Sequence, residues 1–560
     1  MTKRIRTAAQ VLVDQLVING VEHAFCVPGE SFLPVLDALR DSPIRVTVCR
    51  QEGGAAMMAE AAGKATGKPG ICFVTRGPGA TNASPGIHIA QQDSTPLIMF
   101  VGQVDRGMKE RGAFQELDYR AVFGSMTKWT AEIDDGKRMA EFVSRAFHQA
   151  CAGRPGPVVL ALPEDMLSEE VETADAPAFV AVEPAPSIAD LVTLSQLIAG
   201  SKAPVLILGG SRWTPEACAE IAHFAETHQL PVVTSYRRLP LFDPLHPQYA
   251  GDLGIGPNPK LLNRLKAADL VILAGGRMGE IPSQGYTLFA SPGPGTKLVH
   301  LFPDAMEIGR VYVPHLAIQA SPQRFAPALA GLVPPSSPAW KGSAQMAHAE
   351  YLAWSDIATP QPGNVNLGEV MVWLRENLPL DTIICNGAGN YASWIHRFYR
   401  FRRFASHIAP TSASMGYGMP SAVAMQRLHA ERLVISINGD GDFLMNGQEF
   451  AIAVQYGLPI IVLVCDNGIY GTIRMHQERE YPGRPIATDL RNPDFAGYAR
   501  VFGGFGVTVE KTEEFASAFA AAKASGLPSI IHIKISPDAI LPGTTLTRIT
   551  EQAQLRRDAT

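Results

Sequence analysis

Asp440 and Asn467 stand 27 residues apart in ISINGDGDFLMNGQEFAIAVQYGLPIIVLVCDNGIY, and their side-chain types suggest one chemistry. Both offer hard oxygen donors. Mg²⁺ takes one or two such protein ligands and completes its shell with water and phosphate oxygens. Gly439 and Gly441 flank Asp440. Glycine lets backbone approach a phosphate, and a following helix turns unpaired N–H groups toward the anion. The pattern predicts a phosphate–metal turn. The alternative is an ordinary strand-to-helix turn capped by an Asp.

The elements around these residues must place them together. Leu433 to Ile437 is a short apolar run with β-branched residues, which predicts a buried strand. Gln448 to Tyr456 reads as a helix, and Pro459 to Cys465 as a second strand. Strand, acidic turn, helix and strand make a βαβ unit. Both turns then lie at the carboxyl ends of neighbouring parallel strands, where open α/β sheets bind ligands. A second acid, Glu52, opens a helix in RQEGGAAMMAE just after the strand Val46–Cys49. Alone, such an acid usually serves only the helix dipole.

The chain has 560 residues, too many for one core, and suggests about three domains. A net charge of −5 argues against nucleic-acid or anionic-membrane partners. The seven cysteines are scattered and include no C-x-x-C pair, as expected of reduced core thiols. The apolar positions of the first twenty residues have helical spacing interrupted by Asp14 and Gln15, unlike a signal peptide. The longest apolar run elsewhere, Leu458 to Cys465, is far below membrane-spanning length. A cytoplasmic protein with no membrane partner is expected.

Three α/β segments follow from the alternation of apolar runs and Gly/Pro turns. The expected domains are 1–170, 188–335 and 364–540, each a doubly wound parallel sheet. Ser168 to Ser187, and Pro334 to about Gly363, read as linkers. The last twenty or so residues read as polar and peripheral, and no internal repeat is visible.

Seven stretches occur in order along the chain: the Glu52 stretch, TRGPGATN (75–82), FQELD (114–118), GRPGPVVLALPED (153–165), NGAGNYASW (386–394), SMGYGMP (414–420) and the GDG…N pair. Together they resemble the thiamine diphosphate (ThDP) enzymes of the acetolactate synthase branch of the pyruvate decarboxylase-like family. The resemblance covers nearly the whole chain. It implies an N-terminal pyrimidine-binding domain, a central Rossmann-like domain and a C-terminal diphosphate domain. It implies ThDP and Mg²⁺ as cofactors, 2-oxo acid or carbonyl substrates, and a homodimer or dimer of dimers with sites between subunits.

Residue by residue, Glu52 matches the carboxyl group that hydrogen-bonds the cofactor's aminopyrimidine and promotes loss of the thiazolium C2 proton. Asp440 and Asn467 match the side-chain ligands of Mg²⁺, with the Ile469 carbonyl as a third. Gly439, Gly441 and Asp442 match the diphosphate lining. Asn390 and Tyr391 stand where the synthases have a Gln-His pair. Met415 matches the apolar residue beneath the cofactor; without the family it would read as a core filler.

The pocket departs from the synthase pattern. Arg76 replaces a small Ser, Glu30 a Gly, and Glu164 a Lys; the Trp that selects the second substrate is missing, and His476 is nearby. Against the decarboxylases, Phe114-Gln115 replaces an adjacent His pair, and Ile473 an acid. The catalytic set implied is therefore Glu52, Gln115, Arg76 and Glu30. Arg76 is expected either to hold a substrate carboxylate or to pair with Glu30. FAD in the middle domain is possible, through Gly209-Gly210-Ser211-Arg212 and Gly275-Gly276-Arg277, and is not settled by the sequence.

The expected activity is decarboxylation of a 2-oxo acid with carboligation to a second carbonyl. A decarboxylase or C–C lyase without carboligation is the first alternative. An inactive binding subunit of the same fold is the second.

Overall fold

Apolar runs of four to seven residues, such as Gly70–Val74, Leu97–Gln103 and Pro157–Pro163, are buried along their whole length. That pattern belongs to parallel strands covered by helices on both faces. The computed structural model describes residues 4–558, so the ends of the chain, including the first three residues of the expected first domain, lie outside the described residues. It contains three six-stranded parallel sheets.

The first sheet runs Arg45–Val48, His23–Cys26, Gly70–Val74, Leu97–Gln103, Pro157–Pro163, Trp129–Glu132. The third runs His407–Ile408, Ile383–Asn386, Val434–Gly439, Ile461–Asp466, Ser529–Lys534, Phe505–Val509. Numbered within each sheet, both orders read 2-1-3-4-6-5. The two sheets share a topology that leaves no trace as a sequence repeat. The middle sheet runs Tyr249–Leu253, Val232–Ser235, Pro204–Leu208, Leu270–Ala274, Lys297–Phe302, Leu316–Gln319, or 3-2-1-4-5-6. Each order reverses beside its first strand, and ligands of such sheets bind at the carboxyl edge beside that reversal.

The chain forms two compact units. One comprises Met1–Val182, Pro410–Ala430 and Asn446–Leu458; the other comprises Glu183–Ala409, Glu431–Met445 and Pro459–Thr560. The first unit's core joins the helix Ala8–Ile18 to Phe73, Phe100 and Leu160 of the sheet. The second unit holds separate cores for the middle and third sheets.

Three expectations need correction. The expected linker after Ser168 begins with a strand, Glu170–Thr173, paired antiparallel with Arg4–Thr7. The expected helix Gln448–Tyr456 is a 3-10 turn, Gly447–Glu449, followed by the helix Phe450–Gln455. The polar tail is not merely peripheral: the helix Leu546–Asp558 buries Ile549 and Ala553, and Ile549 packs with Met475 and Ile540. A single apolar stripe among charged residues was enough to dock it. All seven cysteines are free thiols, six of them buried. Among the described residues no helix is long and apolar enough to cross a membrane.

Candidate functional site

In the first unit, Glu52 opens the helix Glu52–Thr66. Gln51 caps it, its side-chain oxygen accepting from the Gly54 N–H at 3.0 Å. Asn82 Nδ2 donates to Glu52 Oε2 at 3.0 Å, so the TRGPGATN turn fixes the carboxylate from the next strand end. A Cβ at Gly79 would lie 3.3 Å from Glu52 Oε1 and 2.8 Å from Thr75 Cγ2, which explains a glycine there.

Glu449 was not singled out from sequence, yet it is fully buried against the same helix start. Its Oε2 accepts from the Arg50 N–H at 3.2 Å, and a Cβ at Gly54 would meet its carboxyl carbon at 2.8 Å. Burial pushes its carboxyl up from the ordinary 4.5 to about 7, against the hydrogen bonds it accepts. A group raised in the folded state binds a proton on folding, so its contribution is lost as pH rises through about 7. Glu449→Gln is therefore expected to raise the melting temperature at pH 8, by at most about 3 kcal/mol of stability. The gain should fade as pH falls from 7 toward 4.5. A gain that stays constant across that window, in thermal melts at several pH values, would mean Glu449 does not titrate as described.

Arg76 and Glu30 meet at the reversal of the first sheet. Arg76 is only 8% exposed, and its guanidinium reaches Glu30 Oε1 at 3.2 Å and Glu164 Oε2 at 2.6 Å. Among the described residues its buried Nε has no hydrogen-bond partner. Glu164, known from sequence only as a replaced Lys, thus supplies the shorter bond. Gln115 has φ +63°, and its carbonyl accepts from the Gly77 N–H at 3.0 Å. That contact seats the 113–117 loop on the turn that carries Arg76. Met415 is half-buried in the turn before the helix Gly418–Leu428, and Asn446 Nδ2 holds the neighbouring Gly416 carbonyl at 2.9 Å.

In the second unit, the two turns of the βαβ reading lie side by side. Val434–Gly439 pairs with Ile461–Asp466, ending with Gly439 opposite Cys465. Asp440 Oδ1 accepts from the Gly441 N–H at 2.9 Å; Oδ2 accepts from the Gly468 N–H at 2.9 Å and Asn492 Nδ2 at 2.7 Å. Asn467 Oδ1 accepts from the Ile469 N–H at 3.1 Å. Burial raises Asp440 to about 6, and the nearby Asp466 charge adds to the rise. Asp466 behaves oppositely: burial works against it, but His532 and Lys534 hold it well below the usual carboxylate range. Asn492 bridges the two acids, donating also to Asp466 Oδ1 at 2.8 Å.

The reversal of the third sheet carries the rest. Tyr391 OH donates to Asp442 Oδ2 at 2.6 Å, and a Cβ at Gly387 would strike Asp442 Oδ1 at 2.2 Å. A Cβ at Gly441 would lie 2.5 Å from Tyr470 Cε1, and one at Gly439 3.2 Å from Tyr391 Cδ1. Asn390 Oδ1 accepts from Thr472 at 2.9 Å. Arg237, missed from sequence, donates to the Gly387 carbonyl at 2.6 Å. Among the described residues no three His, Cys, Asp or Glu side chains converge as a metal cage. One carboxylate, one amide and a carbonyl suit a small divalent ion that keeps phosphate and water ligands. The donor set and glycine-lined turn fit a magnesium–diphosphate group.

The middle sheet's reversal differs. A Cβ at Gly210 would lie 1.7 Å from the Gly275 carbonyl oxygen, and Trp213 Nε1 donates to the Gly209 carbonyl at 2.7 Å. The two glycine turns pack on each other. Arg212 pairs with Glu183, and Arg277 lies 3.9 Å from Glu307.

Three family models match: the N-terminal TPP binding domain over residues 6–122, the central domain over 191–329 and the C-terminal TPP binding domain over 387–533 of thiamine pyrophosphate enzymes. The chain is 29% identical over 534 residues to acetolactate synthase isozyme 2 large subunit of Escherichia coli (strain K12), covering 94% of this chain and 95% of that one. It is 30% identical over 552 residues to acetolactate synthase large subunit of Corynebacterium glutamicum, covering 95% and 87%. It is 31% identical over 552 residues to the large subunit of Parasynechococcus marenigrum, covering 94% and 87%. The chain belongs to the thiamine pyrophosphate enzyme family. It is a ThDP-dependent enzyme, and it aligns with acetolactate synthase large subunits over most of its length.

Proposed function

We propose that this enzyme decarboxylates a 2-oxo acid and joins the remaining acyl carbon to a second carbonyl compound, an acetolactate synthase-like reaction using ThDP and Mg²⁺. The observation that supports it best is the Asp440 turn: its carboxylate is tied to the Gly468 N–H beside Asn467, which brings two hard-oxygen side chains to one glycine-lined turn. When bound, ThDP supplies a carbon nucleophile and an electron sink.

The chain's own residues do the rest. Asp440, Asn467 and the Ile469 carbonyl hold the cation. Gly439, Gly441, Asp442, Asn390 and Tyr391 line the diphosphate, and Met415 supports the cofactor rings. Glu52, oriented by Asn82, holds and returns a proton at the aminopyrimidine. Gln115, Arg76 and Glu30 border the substrate. Sites shared between two chains, in a dimer or dimer of dimers acting in the cytoplasm, complete the proposal, as do domains at 1–170, 188–335 and 364–540.

A panel of 2-oxo acids, with and without an acceptor aldehyde, tests the reading through CO₂ release and product mass. Aldehyde as the sole product would move the enzyme to the decarboxylases. No CO₂ from any acid with ThDP bound would mark an inactive subunit. In the same assays Arg76→Ser is expected to raise KM for the 2-oxo acid about tenfold, the scale of one charge-assisted hydrogen bond. Glu30 is 66% exposed and its bond to Arg76 is the longer one, so a substrate carboxylate can take its place while Glu164 anchors the guanidinium. A fall in melting temperature with KM unmoved would leave Arg76 as an ion-pair partner only.

A further inference from the structure

The helix Gly471–Glu480 and the terminal helix Leu546–Asp558 border a cleft of about 410 Å³. Its lining includes Arg479, Arg548 and Arg556, with Thr544 and Gln552, and contains no carboxylate. Among the described residues the guanidinium groups of Arg479 and Arg548 have no ion-pair partner. Arg474, on the same helix as Arg479, is by contrast tied to Asp489 at 2.5 Å. Three cations around one concavity focus a positive field and attract an anion. The planar guanidinium fork suits phosphate oxygens, and the volume is that of a small-molecule site.

We propose that this cleft binds a small phosphate-bearing molecule, gripped by Arg479 from one helix and by Arg548 from the other. The position gives it a consequence. Thr550 of the terminal helix donates to Glu478 at 3.0 Å, and the helix bearing Glu478 begins two residues after Ile469. The same helix supplies Thr472 to Asn390 at 2.9 Å and brings Met475 Sδ within 3.6 Å of Asn390 Nδ2. An anion bridging the two helices therefore braces the segment that holds Asn390.

The test is calorimetric titration of the ThDP- and Mg²⁺-loaded enzyme with inorganic phosphate, at ionic strength held constant with chloride. Loading keeps phosphate out of the cofactor's diphosphate site. Saturable binding is expected. The double variant Arg479→Gln/Arg548→Gln should bind at least about tenfold more weakly, with unchanged ThDP affinity and melting temperature. Arg557→Gln, adjacent in sequence but outside the lining, should bind as the parent does. Steady-state rates with phosphate then separate the two sources of the group. Competition with substrate marks the tail of a phosphorylated substrate; an effect at saturating substrate marks a separate effector. Absence of saturable binding, equal binding by the double variant, or citrate bound as tightly as phosphate would overturn the proposal.

Discussion

Asp440→Ala is expected to lower the enzyme's affinity for ThDP in Mg²⁺ by about a hundredfold or more. Removing an outer partner of a metal ligand typically costs ten- to a hundredfold in affinity, and removing the ligand itself costs at least that. In the proposed site the diphosphate and the cation would bind as one unit, so losing the carboxylate proposed to join the cation to the protein would loosen both. Asp440 also accepts from the Gly441 and Gly468 N–H groups and from Asn492, so its loss leaves buried donors without a partner. Asp440→Asn separates the two effects. An amide oxygen still accepts a backbone N–H, while the charge that draws the cation is gone. One amide oxygen replaces only one of the two accepting carboxylate oxygens, so the expected result is a melting temperature between those of the parent and Asp440→Ala, with cofactor affinity still strongly reduced. Calorimetry showing parental ThDP affinity in both variants, at equal Mg²⁺, would remove Asp440 from the site.

The Asp440 turn was legible in sequence because its signal is local. Two apolar strand runs, a Gly-Asp-Gly break and an Asn at the next strand end are written within 36 residues, and parallel pairing brings the two turns together. The groups that hold the turn are not local. Asn492 lies 52 residues beyond Asp440, and its bridge to Asp466 exists only after folding. Glu449 shows the same limit from the other side. In the run NGQEF it looks like a solvated helical acid, and only the fold seats it on Gly54, nearly four hundred positions upstream. Arg76 and Glu30 stood out because they break a known pattern. Glu164 broke it too, but its part in holding Arg76 depends on the sixth strand of the first sheet, Pro157–Pro163, ending near the third. The common 2-1-3-4-6-5 order of the outer sheets was hidden for a different reason. Topology is set by where apolar runs and turns fall, and many unlike sequences satisfy that requirement.

Glu52→Gln should leave ThDP bound and slow both turnover and proton exchange at C2 of the bound cofactor by about a hundredfold or more, the usual scale of lost general acid–base action. The substitution is nearly isosteric, and Gln can still accept from Asn82 through its side-chain oxygen, as Glu52 Oε2 does at 3.0 Å. Its position is also preserved: the cap from Gln51 to Gly54 and the close approach of Gly79 do not depend on the charge. What disappears is a carboxyl oxygen able to hold and return a proton. The readout therefore has to distinguish binding from proton movement. Calorimetry should give ThDP affinity close to that of the parent, and deuterium exchange at C2, followed by quenched-flow NMR, should slow together with kcat. An equal loss of affinity and rate would mean that Glu52 only positions the cofactor. Parental exchange rates in the variant would take Glu52 out of the proton path altogether and move attention to Glu449, the other acid at that helix start, which is buried, raised to about 7 and seated against Gly54, two residues along the helix from Glu52.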